Sequence, residues 1–118
     1  MILIGNDIVE VKRIQSLIKN YKSRFLDKIF TDHEKQYCNS RINSEIHYSG
    51  RFAAKEAVKK ILLQENPNSI VLFRNIEVYR LDDKPPKIRL KGEPEKKIQL
   101  SISHTNEYAT AIVLMESK

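Results

Sequence analysis

The chain has a single cysteine, Cys38, in 118 residues. That excludes an internal disulfide and any multi-cysteine metal centre, and leaves Cys38 expected as a small buried filler. No Cys/His set has the spacing of a zinc site. Long hydrophobic runs are also missing. Nothing approaches the ~20 apolar residues that span a bilayer, and Met1-Ile2-Leu3-Ile4 is interrupted by Gly5-Asn6-Asp7 before it could form the apolar stretch of a signal peptide. A cytoplasmic protein is therefore expected. No repeat, low-complexity tract or linker divides the chain, so residues 1–118 are expected to form one domain around one core. Ser101, Ser103 and His104 have no Gly-x-Ser-x-Gly elbow, which argues against a Ser/His hydrolase.

With 41% hydrophobic and 31% charged residues, the composition is that of an ordinary soluble domain. The net charge of +6 favours an anionic partner, which could be nucleic acid, a membrane surface, a phosphate-rich cofactor or an acidic protein. A basic nucleic-acid-binding module would fit that sign. However, the basic residues are interleaved with acids and no exposed aromatic platform is evident.

Along the chain, residues 2–9 predict a strand that is apolar on both faces, as for an interior position. Asp7 is anomalous there and has two readings: an N-cap for the following helix, or a paired or cation-bound carboxylate. From Glu10 the period becomes helical through Val11, Ile14, Leu17 and Ile18, and Tyr21 to Phe30 continues it. The other face of this stretch is basic, including Arg13 and Arg24. Thr31 with Glu34 three residues later predicts a capping box starting a short helix through about Asn39, with His33 and later His47 expected to be exposed.

A helix from about Ser44 to Leu63 is the central element. Gly50, Ala53 and Ala57 fall on one narrow strip beside Ile46, Ala54 and Ile61, small enough to admit another backbone closely. Glu56 and Lys60 lie one turn apart at its edge, as in many solvated helical ion pairs. The second half predicts strands at Ile70–Phe73, Ile76–Leu81, Lys87–Leu90, Ile98–Ser103 and Tyr108–Met115, with turns at 82–86 and 104–107 and a loop at 91–97. The expected class is α+β, with helices packed on an antiparallel sheet that the first strand joins.

If the small strip packs on the first strand, Gly5 allows the approach and Asp7 faces Glu56. Two carboxylates with few neutral ligands suit a hard cation such as Mg²⁺, completed by water and phosphate oxygens. Lys60, a turn away, would then meet a phosphate. That set suits phosphoryl chemistry.

Ile4-Gly5-Asn6-Asp7-Ile8-Val9-Glu10, followed by Arg51-Phe52-Ala53-Ala54-Lys55-Glu56-Ala57-Val58-Lys59-Lys60, resembles the two-motif signature of 4′-phosphopantetheinyl transferases. The short length, Ile29-Phe30-Thr31 with Glu34, and Leu100-Ser101-Ile102-Ser103-His104-Thr105 make it similar to the holo-acyl-carrier-protein synthase branch. The resemblance implies transfer of phosphopantetheine from coenzyme A to a serine of an apo acyl carrier protein in fatty acid biosynthesis. It implies Asp7 and Glu56 as Mg²⁺ ligands, Glu56 also activating the serine, and Lys60 stabilising the leaving phosphate. It further implies Arg51, Lys60, Lys84, Pro85 and His104 as coenzyme A contacts, Arg13 and Arg24 as the carrier-docking residues, and a homotrimer with active sites between subunits. An inactive member kept as an interaction protein is the alternative within the family. The chain departs from the family pattern twice, lacking glycines after Lys60 and carrying Asp82-Asp83 before Lys84-Pro85, and both departures bear on coenzyme A affinity.

Overall fold

The computed structural model describes residues 1–117. Its first strand, β1 (Ile2–Glu10), is followed by four helices: α1 (Val11–Tyr21), α2 (Ser23–Ile29), α3 (Asp32–Asn39) and α4 (Ser44–Glu65). Then come a 3-10 turn at Phe73–Asn75 and the strands β2 (Ile76–Tyr79), β3 (Lys87–Leu90), β4 (Glu93–Pro94), β5 (Ile98–His104) and β6 (Tyr108–Glu116). The strands make two three-stranded antiparallel sheets, ordered β1-β6-β5 and β2-β3-β4. The expected α+β class is the observed architecture, but the strands divide into two sheets rather than one, and the first strand lies at the edge of its sheet beside β6 rather than in an interior position.

The small strip of α4 lies across the inner face of the β1-β6-β5 sheet. Ala53, Ala54, Ala57 and Ile61 are wholly buried there with Leu3, Ala111 and Val113, and Ile76, Val78 and Ile88 of the second sheet complete the core. Burying each of those isoleucines contributes roughly 1.5–3 kcal/mol. A second cluster, with Ile14, Phe30, Cys38 and Tyr48 at its centre, packs α1, α2 and α3 against the N-terminal half of α4.

The structure revises several expectations. β1 is buried on one face only: Leu3, Gly5 and Val9 point inward, whereas Ile2, Ile4 and Ile8 are 59%, 56% and 64% exposed. Alternation therefore governs this strand, and composition alone concealed it. Asp7 does not cap α1, because the strand runs on to Glu10 and the Val11 N–H instead donates to the Glu107 carbonyl at 2.9 Å. The basic helical stretch breaks at Lys22, whose φ of 50° separates α1 from α2, so Arg13 and Arg24 lie on different helices. Ile70–Phe73 has strand-like composition but no partner strand, and Ile70 is 88% exposed. β2 stops at Tyr79, and the expected loop at 91–97 contains the two-residue β4. The Thr31 capping box forms as expected, with both reciprocal hydrogen bonds present.

Candidate active site

Gly5 is where β1 and α4 come closest. A Cβ built there would lie 2.4 Å from the Ala57 carbonyl oxygen, a backbone atom that no side-chain adjustment can move. Two residues along the same face of β1 is Asp7, and three along α4 from Ala57 is Lys60. The Lys60 Nζ donates to the Asn6 carbonyl at 2.8 Å and lies 3.3 Å from Asp7 Oδ1. Lys60 therefore turns to the strand, and among the described residues the common helical ion pair with Glu56 does not form. Glu56, half-buried one turn before Lys60, has no ion pair or side-chain hydrogen bond among the described residues.

Lys60 thus contacts Asp7 of β1, with Glu56 one turn before it on α4. Among the described residues no cluster of three or more His, Cys, Asp or Glu side chains could hold a metal alone. Two carboxylates without soft donors fit a hard cation that keeps waters and takes phosphate oxygens from a substrate. They do not fit a closed zinc centre.

A buried ion pair with no local sequence signal links α4 to α3. Lys55 and Glu34 are both fully buried, with Nζ 2.5 Å from Oε1. Burial pushes the Glu34 carboxyl up and the Lys55 ammonium down, and their mutual attraction opposes both shifts. Glu34 also accepts from the N–H groups of Thr31 at 2.9 Å and Val78 at 2.8 Å, so one carboxylate ties the α3 cap, α4 and β2 together. The capping box revealed Glu34, but nothing local marks Lys55 as its partner.

Toward the N-terminus of α4 lies a second, basic cluster. Arg51 is only 6% exposed, and its guanidinium carbon sits 4.1 Å from the centre of the Tyr37 ring. Arg41 lies over the same ring at 4.6 Å, and Arg80 donates to the Tyr37 hydroxyl at 3.4 Å. The His47 ring is 6.0 Å from Tyr37 and 6.1 Å from the exposed His104, so His47 belongs to this cluster rather than to open solvent. Burial, then the charges of Arg51, His104, Arg41 and Arg80, hold the His47 imidazole below its ordinary range.

Lys84 and Pro85 are exposed on a turn that Arg80 also grips, its Nε donating to the Lys84 carbonyl at 2.9 Å. Asp82, with φ of 52°, and Asp83 are exposed on that turn. The glycine-free segment after Lys60 stays helical to Glu65, and Gln64 donates from there to the Ile4 carbonyl at 3.2 Å. The structure therefore joins Arg51 to His104 through Tyr37 and His47, and to Lys84 through Arg80. Lys60 stays with Asp7. Tyr37, Arg41 and Arg80 carried no sequence signal, since their contacts come from separate segments. Arg13, on α1, and Arg24, on α2, are both exposed.

The family model of the 4′-phosphopantetheinyl transferase superfamily matches residues 3–113. The chain belongs to that superfamily. The holo-[acyl-carrier-protein] synthase of Chlamydia caviae is 41% identical over 94% of this chain and 93% of its own. That of Halothermothrix orenii is also 41% identical, over 96% and 95%. Among solved structures, a Chronobacterium ammoniagenes ACPS–coenzyme A complex superposes with a TM-score of 0.87 at 27% identity, covering 100% of this chain and 98% of that one. The Bacillus anthracis holo-(acyl-carrier-protein) synthase, in complex with coenzyme A (3′,5′-ADP), gives 0.77 at 32% identity over 98% and 96%. No helix in the described superfamily fold is long and apolar enough to cross a membrane.

Proposed function

We propose that the chain is a holo-[acyl-carrier-protein] synthase, a cytoplasmic enzyme of fatty acid biosynthesis whose residues 1–118 act as one phosphopantetheinyl transferase domain. It moves the 4′-phosphopantetheine arm of coenzyme A onto a serine hydroxyl of an apo acyl carrier protein and releases adenosine 3′,5′-bisphosphate. The observation that carries this reading is the Asp7–Lys60 contact beside an uncommitted Glu56, in a chain that matches such synthases over nearly its full length.

The serine oxygen forms a bond to the phosphorus that bears the pantetheine arm, and the bond from that phosphorus to the bridging pyrophosphate oxygen breaks. Glu56 takes the serine proton, directly or through one water; lacking an ion-pair partner, its carboxylate is free to do so. Lys60 stabilises the departing phosphate oxygen. Because its side chain is 49% exposed, it can leave Asn6 and Asp7 by side-chain rotation while the backbone stays fixed. Asp7 and Glu56 would hold Mg²⁺, which when bound would supply positive charge at the transferring phosphate. Arg51, His104 and the Lys84-Pro85 turn bind coenzyme A at its phosphates, and exposed Arg13 and Arg24 receive the acidic carrier through salt-sensitive contacts.

The enzyme works as a homotrimer with its sites between subunits. Support comes from the outer face of the β1-β6-β5 sheet. The strand register gathers Ile2, Ile4 and Ile8 with Ile112 and Leu114 there, and all five are exposed. A patch of that kind fits a second copy better than water. Incubation with coenzyme A, Mg²⁺ and an apo carrier should add a phosphopantetheine mass to the carrier, and light scattering should return three chains per particle. A carrier left unmodified under every cognate pairing would sink the enzymatic reading; a monomer would remove only the trimer.

A further inference from the structure

The basic cluster has a neutral centre. Arg41 comes from the link between α3 and α4, Arg51 from α4 and Arg80 from just beyond β2, and among the described residues none of the three pairs with a carboxylate. What they share is Tyr37. Its ring lies under the guanidinium carbons of Arg41 and Arg51, at 4.6 and 4.1 Å, and its hydroxyl accepts from Arg80. The ring's quadrupole attracts Arg41 and Arg51 and the hydroxyl accepts from Arg80, but a neutral side chain cannot neutralise three like charges, so the gathering awaits an anion. The buried Arg51 Nε is without a hydrogen-bond partner, and so retains a donor to offer.

We propose that Tyr37 is the positioning residue of the coenzyme A phosphate site, setting the three guanidinium groups without itself touching the nucleotide. This rests on the coenzyme A reading given above. Ring and hydroxyl divide the work. The ring fixes Arg41 and Arg51. The hydroxyl fixes Arg80, which in turn holds the carbonyl of Lys84, so the turn carrying Lys84 and Pro85 is anchored through the same oxygen. Tyr37 sits at the margin of its core cluster, only partly buried, so its removal leaves the centre of that cluster in place.

The division makes the test graded. Y37F keeps the ring and loses the Arg80 tether; Y37L loses both. Calorimetric titration of the full chain with coenzyme A, and separately with adenosine 3′,5′-bisphosphate, should show affinity falling about threefold in Y37F and about tenfold in Y37L for both ligands. KM for coenzyme A should rise by the same factors while kcat stays within about twofold, because the reacting atoms lie at Asp7, Glu56 and Lys60. Wild-type affinity in Y37L, a loss confined to kcat, or a loss for coenzyme A that spares adenosine 3′,5′-bisphosphate would each overturn the proposal. Should Y37L not fold, a folded Y37F with unaltered affinity overturns it alone. A wild-type chain that binds neither ligand removes the coenzyme A reading and this proposal with it, whereas one that binds both and ignores Tyr37 removes this proposal only.

Discussion

The two functional ends of α4 are built by different means. Near Ala57, strand and helix meet backbone to backbone, with room at Gly5 for a hydrogen and nothing larger. Near Arg51, long side chains converge on one aromatic ring from three separate segments. The first arrangement fixes the backbone that carries Asp7, Glu56 and Lys60, which would suit the catalytic roles proposed for them. The second holds charges by contacts individually modest and jointly adjustable, which suits a binding subsite. Between the two ends, the Lys55–Glu34 pair fixes the rotation of the helix.

The sharpest break in that comparison is Glu56→Gln. It keeps the shape of the rigid end and removes the proton acceptor proposed for it, so transfer should fall about 10²–10⁴-fold while coenzyme A still binds. Mass spectrometry of the carrier and calorimetry of the enzyme would report the two effects separately, and a fully active variant would take Glu56 out of the mechanism.

Lys55→Met leaves the Glu34 carboxylate buried without its counter-charge and should cost about 3–5 kcal/mol of folding free energy. Urea unfolding followed by circular dichroism measures it; a loss below about 1 kcal/mol would mean that the pair does not hold α4.

Gly5→Ala should destabilise by roughly 1–3 kcal/mol through forced separation of β1 and α4. It should lower kcat while leaving affinity for adenosine 3′,5′-bisphosphate intact, since the atoms nearest that crossing belong to Ala57, Ile61 and Val113, none of them in the basic cluster. Equal losses in both would show that the two ends are not independent.

The smallest effect concerns acid. Burial pushes the Glu77 carboxyl up, but the Thr31 hydroxyl and Arg89 outweigh it and hold the group below its ordinary value of 4.5. An acid with a depressed folded-state pKa contributes stability above its unfolded value, and that contribution is lost as pH falls through the folded one. Wild type should therefore lose more thermal stability than Glu77→Gln between neutrality and pH values below 4.5. Parallel melting curves for the two proteins would contradict the assignment.

How much of this was legible in the sequence follows the same division. The rigid end could be read because its signal is local. Gly50, Ala53 and Ala57 recur at helical spacing, and Gly5 with Asp7 interrupts an apolar strand. Of the adjustable end only Arg51, His104 and the Lys84-Pro85 turn could be read, and those through the family resemblance; Tyr37, Arg41 and Arg80 acquire their meaning only from folding together. Lys55 shows the same limit: it occupies a helical position where lysine is ordinary, and only Glu34, 21 residues earlier, explains how it is buried. Ile70–Phe73 misled in the opposite direction, since β-branched and aromatic residues mark a strand only where another strand can pair with them.

Cys38 gives the fold one further property. It is wholly enclosed, and burial pushes its thiol up to about 12. The thiolate needed for exchange with a disulfide is therefore disfavoured, and the sulfur is shielded from reagents. An enzyme handling a thiol-bearing substrate thus presents it with almost no sulfur nucleophile of its own. Oxidised coenzyme A, glutathione disulfide and alkylating reagents should leave the folded protein unmarked, and its turnover should not depend on the redox state of its surroundings.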